Sequence, residues 1–301
     1  MANKTSRATG GSLDAKRVLA ADLAAARKAL EDEELEREAC VHVARRRLKH
    51  ARSMLRILRP VLGDDYDRRR IVLRDAAAAL SGTRDLDVMA VTCAKLAEHA
   101  PERVQPALSA LRAALLAEAE RAHAEETPIA AVVDRLRAAE AETQALPDPD
   151  DPAGLFAHEL AHAYKAARKA MDAARAHHGE HPFHEWRKRV KHHWHLSQMA
   201  ESECDLVRKK GVKRLDKLGE TLGLENDHAV LQAKLLDDPL LAGEGASADR
   251  IHDLIDVRRA KLQDKALRLG DKIYAPAPGD VRAEIEAIWP ARGRAPASVL
   301  Q

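Results

Sequence analysis

The sequence predicts an all-α protein made of two related helical bundles that face each other about an internal pseudo-two-fold axis. Aromatic residues are 3% of the 301 residues, Ala, Leu, Arg, Glu and Asp dominate, and no segment shows the alternation of a strand. A cationic segment occurs twice: His42, Arg45, Arg46, Arg47 and Lys49 match His184, Arg187, Lys188, Arg189 and Lys191, each pair 142 positions apart. The same offset pairs Leu13 with Leu155, Arg27 with Lys169, Leu73 with Leu215, Leu80 with Leu222, Asp85 with Asp227 and Val88 with Val230, without a gap. Self-similarity at one long period signals duplicated supersecondary units.

The polar start, residues 1–12, and the tail, 290–301, are expected to be mobile. The first half, 13–145, reads as a long helix over about 13 to 38 and the basic helix over 41 to 59. A third helix ends near Ser81-Gly82, a fourth follows the Asp85 turn, and one or two more include 106 to 126. Residues 146–154, LPDPDDPAG, hold three prolines and a glycine, which forbid a continuous helix and mark the joint. The second half, 155–289, repeats the pattern: 155 to 178, the basic helix at 183 to 203, a third ending at Leu222-Gly223, a fourth after Asp227, and 249 to 270. Asp85 and Asp227 read as helix N-caps.

The formal net charge is only +2, because charge is segregated: Glu118 to Glu159 carries eleven acids against three basic residues. No run approaches the roughly 18 apolar residues of a membrane span, and MANKTSRATGGS lacks the apolar core of a signal peptide. Cys40, Cys93 and Cys204 are odd in number, distant and without a CxxC, so neither a disulfide framework nor a zinc site is indicated. A cytoplasmic protein without membrane contact is expected.

At about 100° per residue, His42, Arg45, Arg46, Lys49, Ser53 and Arg56 share one third of a helix, with Ala44, Leu48, Ala51, Met54, Leu55 and Leu58 opposite. In the second copy His184, Arg187, Lys188, Lys191, His195 and Gln198 make the polar stripe and Trp186, Val190, Leu196 and Ala200 the apolar one. A solvated helix face usually mixes signs, yet residues 41 to 60 contain seven Arg or Lys and no acid. Such a stripe calls for an external polyanion, or for acids supplied by neighbouring helices. Arg27, Lys165, Lys169, Lys213 and Lys217 are further cations that can converge on it.

The duplicated H-x2-R-x3-K helix (His42, Arg45, Lys49; His184, Arg187, Lys191), with SGTRDLDV at 81–88 and LGLENDHAV at 222–230, resembles the CHAD family, the conserved-histidine α-helical domain. The resemblance covers about Leu13 to Trp289, and the alternating strands and E-x-E-x-K signature of the triphosphate-tunnel domain to which many members are fused are absent. It implies paired four-helix bundles whose basic central surface binds inorganic polyphosphate, and a protein associated with polyphosphate granules. The binding set expected is Arg27, His42, Arg45, Arg46, Lys49, Arg56, Lys165, Lys169, His184, Arg187, Lys188, Lys191, His195, Lys213 and Lys217. The second copy departs at Asn226, opposite Arg84, and at Trp194, opposite Arg52.

Polyphosphate carries about one charge per phosphate, so a row of donors suits it: Arg forks bidentately onto phosphate oxygens and Lys supplies an adaptable point charge. His42 to Arg56 spans about 21 Å along a helix. A phosphate beside His42 or His184 favours the imidazolium and tighter binding below about pH 6.5; the alternative is a neutral histidine hydrogen-bonded to a neighbouring helix. No P-loop, G-x-G-x-x-G or paired-carboxylate constellation is present, and His177, His178, His181, His192, His193 and His195 are irregularly spaced for a metal. A non-catalytic binding module with no cofactor or metal is expected, as a monomer or weak dimer, with other granule proteins as possible partners. The competing readings are a nucleic-acid-binding helical protein, which the scarcity of aromatics disfavours, and a metal-dependent phosphohydrolase.

Overall fold

The structure, a computed structural model, describes residues 14–80, 84–123, 129–177, 180–203, 209–243 and 245–289. Among them are twelve α-helices, one 3-10 turn and no strand. Residues 1–12, 290–301, the Ser81-Gly82 turn, His178 and Cys204, on which sequence expectations also fall, lie outside the described residues.

α1 (Ala15–Leu30) is capped by Asp14, whose carboxylate accepts from the backbone N–H groups of Lys16 and Arg17. The expected first helix to residue 38 is cut short: α1 ends at Leu30 and α2 (Arg37–Ile57) begins after Glu31, Asp32, Glu33, Glu34, Leu35 and Glu36. Acids are unfavourable at the negative C-terminal end of one helix and favourable before the positive start of the next, so the acidic run divides them. α1 and α2 then fold back on each other, and α3 (Arg59–Leu62) leads into α4 (Asp65–Ala79). After α5 (Arg84–Ala97) and α6 (Gln105–His123), α7 (Ile129–Gln144) returns to pack on α1 and α4.

Past the proline-rich stretch, Asp151 caps α8 (Pro152–Ala176) by accepting from Gly154 N at 3.0 Å, with Pro152 pre-setting the first turn. α9 (Glu180–Glu203) packs on α8 and on α10 (Lys209–Asp237). A 3-10 turn (Pro239–Ala242), α11 (Ala246–Ile273) and α12 (Pro278–Ile288) complete the chain's described part. The expected break at Leu222-Gly223 does not occur, and α10 runs straight through it. Leu215, Leu218 and Leu222 anchor its first half in one apolar cluster, Leu231 and Leu235 its second half in another. That burial outweighs the roughly 1 kcal/mol that a mid-helix glycine costs. Asp227 is consequently inside a helix rather than at an N-cap, and Asp85 is the second residue of α5.

Three apolar clusters hold the helices. The first, around Leu19, Leu48, Met54, Leu55 and Leu136, also takes Phe156 and Leu160 of α8 and Leu196 and Ala200 of α9. Residues on either side of 146–154 therefore share a core. The second joins α5 and α6 to Leu231 and Leu235 of α10 and Ile251 and Ile255 of α11. The third centres on Trp186 and Tyr274. Cys40 and Cys93 are buried free thiols, and burial pushes the Cys93 thiol up to about 12. No helix of the described residues is long and apolar enough to cross a membrane.

Gly270 of α11 lets that helix touch α8 and α9: a Cβ there would lie 2.5 Å from Met171 Sδ and 2.8 Å from Trp186 Cζ2. Met171 can swing away, but the fully buried Trp186 ring cannot. Gly270→Ala is therefore expected to lower the melting temperature by overpacking worth about 1–3 kcal/mol, against a helix-propensity gain of about 1 kcal/mol. A raised melting temperature would show that α11 does not press on Trp186.

Candidate anion-binding surface

α2 and α9 carry the two basic segments, and each is fixed by the face it buries. α2 buries Cys40, Ala44, Leu48, Ala51, Met54 and Leu55, which leaves Arg45, Arg46, Lys49, Arg52 and Arg56 half-buried or exposed. α9 buries Trp186, Val190, His193, Leu196 and Ala200 and leaves His184, Arg187, Lys188 and Lys191 outward. The two helices meet at their centres, where the His50 and His195 rings stand edge to face at 5.3 Å between centroids.

Cations crowd this meeting point. His195 is pushed down to about 3 by burial first, then by His50, Lys191, His192 and Lys49. It is a neutral imidazole at physiological pH, a hydrogen-bonding group rather than a charge. Its ring lies 4.9 Å from that of Trp194, which also takes Lys191 Nζ at 4.8 Å from its ring centroid and packs on the third apolar cluster. Burial, and then Arg187, holds the Lys191 ammonium below its ordinary value, with Asp216 and Glu220 opposing. The Lys191 side chain runs over Gly219 of α10, where a Cβ would stand in ordinary van der Waals contact, 3.4 Å from Cε and Nζ. Further along α2, the Arg52 guanidinium is lowered by burial, then by Arg56 and Arg70, with Tyr66 opposing and Arg74 adding to the repulsion.

Neighbouring acids and carbonyls engage the flanks. Arg27 pairs with Glu140 at 3.0 Å and Glu31 at 2.6 Å, Arg47 with Asp22 at 3.2 Å, and Lys188 with Glu185 at 2.6 Å. Arg45 donates to the Leu80 carbonyl at 2.7 Å. His42 is exposed beside a cleft lined by Glu36, Glu38, Asp87 and Asp227, so the α2 N-terminal end of the stripe faces carboxylates. His184 Nδ1 lies 2.6 Å from Asn226 Oδ1, the bond of a histidine to a neighbouring helix. Asp227 is half-buried, and burial raises its carboxyl while Arg187 opposes.

The structure thus brings together Lys49, Lys191 and His195, with Arg187 adjoining Lys191. Arg46, Lys165, Lys169, Lys213 and Lys217 are exposed with no carboxylate at ion-pair distance among the described residues. Arg56 falls instead with Arg59, Arg70 and Arg189 around a separate cavity. Three of those four were not among the expected binding residues. For Arg189 a signal existed, because it sits on the apolar arc of its helix, where a charge needs a reason.

Of the histidines judged too irregularly spaced for a metal, His192 Nε2 is 2.7 Å from Glu159 and His193 Nδ1 is 3.2 Å from the Tyr274 hydroxyl, both histidines buried. Among the described residues no group of three or more His, Cys, Asp or Glu could hold a metal ion.

The fold and surface define a class: an all-helical protein in which two cation-bearing helices are pressed together at their centres. The chain belongs to the CHAD family, as the profile of the CHAD domain matches residues 17–236. A solved structure named PptA from Streptomyces chartreusis superposes with a TM-score of 0.63 at 16% identity, covering 88% of this chain and 99% of that one. The CHAD domain from the plant Ricinus communis superposes with a TM-score of 0.56 at 18% identity, covering 97% of each chain. No curated protein matches the sequence.

Burial pushes His193 down to about 3, so over the range between that value and the ordinary 6.5 the unfolded chain binds the extra proton. Stability is expected to fall as pH drops from 7 to 5, with His193 contributing at most about 2 kcal/mol. Chemical denaturation at the two pH values should show a smaller loss for His193→Gln. An equal loss would mean that His193 is already protonated in the folded protein.

Proposed function

We propose that this protein binds inorganic polyphosphate non-catalytically across the meeting of α2 and α9, and that it associates with polyphosphate granules in the cytoplasm. The observation that carries the reading is mutual repulsion. Where the His50 and His195 rings bring α2 and α9 together, Lys49 and Lys191 both act on His195, and Lys191 is held below its ordinary value by burial first and then by Arg187, against Asp216 and Glu220. A bound polyanion relieves that repulsion and recovers free energy spent in folding. Family membership supports the same ligand. Lys49, Arg187 and Lys191 are the residues assigned to the central contacts and Arg45 to a flanking one, with the exposed lysines of α8 and α10 as outlying ones.

Nucleic acid would meet the same charges but little stacking. Trp186 is fully buried, and Trp194 is already packed against His195 and Lys191. Single-strand binding draws about 1–3 kcal/mol from each stacked base, and this surface has few rings to offer.

Calorimetry with long-chain polyphosphate should show saturable binding that the variant with Arg45, Lys49, Arg187 and Lys191 changed to alanine loses by at least about 100-fold, while it stays helical. Single-stranded DNA should compete poorly at the same salt concentration, and magnesium should not elicit phosphate release. A folded wild type that ignores polyphosphate would overturn the reading, and preferential binding of DNA would replace it with the nucleic-acid one.

A further inference from the structure

A second cationic site lies where the C-terminal end of α2, the start of α3, α4, α8 and α9 come together. A cavity of about 250 Å³ is lined there by four guanidiniums, Arg56, Arg59, Arg70 and Arg189, against two carboxylates, Asp67 and Glu159. Both acids are already engaged. Asp67 accepts from Arg70 Nε at 2.9 Å, and Glu159 is bonded to His192 at 2.7 Å, with His162 at 3.7 Å. Arg59 is held over the Tyr66 ring at 5.2 Å.

Arg56 and Arg189 are different. Each is half-buried, each lines the cavity, and neither has a carboxylate at ion-pair distance among the described residues. Arg189 and Glu185 of its own helix act on each other at longer range, and Glu185 is bonded to Lys188. Partly buried arginines are normally paired, since an uncompensated charge away from water is costly. Arg189 makes the contrast within this chain, because its counterpart at the 142-residue offset, Arg47, has Asp22 as its partner at 3.2 Å. Tyr164 stands at the position equivalent to Asp22 and brings no charge.

We propose that this cavity is a discrete site for one phosphate-type oxyanion, with Arg56 and Arg189 as its principal ligands and Arg70 as a supporting one. The cavity, partly open to solvent, has room for a single tetrahedral group, whereas the α2–α9 surface suits a run of them. Two sources share this chemistry: free orthophosphate, and the terminal phosphate of a polyphosphate chain reaching the cavity past Arg56. Only the second source rests on the polyphosphate reading.

The test titrates the full chain with orthophosphate, and separately with tripolyphosphate whose ends are free or esterified, followed by calorimetry. Variants are Arg189→Gln, Arg189→Lys and, in case position 189 does not fold, Arg70→Gln on α4. One-to-one binding of orthophosphate, weakened at least about tenfold by Arg189→Gln and less by Arg189→Lys, supports free phosphate as the ligand. Binding of free-ended but not esterified tripolyphosphate, with the same response at position 189 or 70, supports the chain terminus. Neither probe binding the folded wild type, or binding that is indifferent to Arg189→Gln and Arg70→Gln, overturns the proposal. Long-chain polyphosphate binding that survives Arg189→Gln leaves the α2–α9 reading intact, so the two failures are distinguishable.

Discussion

Two helices that turn cations toward their meeting point stay in contact here because of what lies behind them. Two unit charges about 4 Å apart repel by about 1 kcal/mol in water and about 4 kcal/mol near a protein surface. Fully burying a leucine or methionine contributes about 1.5–3 kcal/mol. α2 sets Leu48, Met54 and Leu55 into the first core, and α9 sets Leu196 into the same core and Trp186 and Val190 into the third. Apolar burial on the far faces therefore exceeds the repulsion on the near ones. The result is a surface whose charges are held closer than they would choose.

Acids elsewhere in the chain sharpen that surface by restricting it. Glu140, Glu31, Asp22 and Glu185 pair with the outlying cations Arg27, Arg47 and Lys188, and four carboxylates face the His42 end. Lys49, Arg187 and Lys191 remain together at the centre, with Asp216 and Glu220 acting on Lys191 and Asp227 beside Arg187. Segregation of this kind is how a chain with a formal charge of only +2 gathers cations where two helices meet.

Helix content and the basic faces were legible because helical periodicity assigns buried and exposed residues locally. Leu48 and Arg45 are separated by geometry that needs no tertiary knowledge. What periodicity cannot give is which helices meet. The Arg27–Glu140 pair spans 113 positions and depends on α7 returning to α1, so a cation that looked free in sequence is neutralised in the fold. His195 read as part of a polar stripe, but the approach of His50 from α2 buries it and removes its charge. The break expected at Leu222-Gly223 failed for the same reason in reverse, since two distant cores hold α10 straight through a local stop signal.

The central claim is that polyphosphate lies across the meeting of α2 and α9, and its most direct test is a lysine-reactivity footprint read by mass spectrometry. With long-chain polyphosphate bound, Lys49 and Lys191 should lose reactivity toward an amine-modifying reagent, while Lys261 and Lys265, exposed on α11, should react as before. Undiminished reactivity at Lys49 and Lys191, or protection spread evenly over all exposed lysines, would contradict the account.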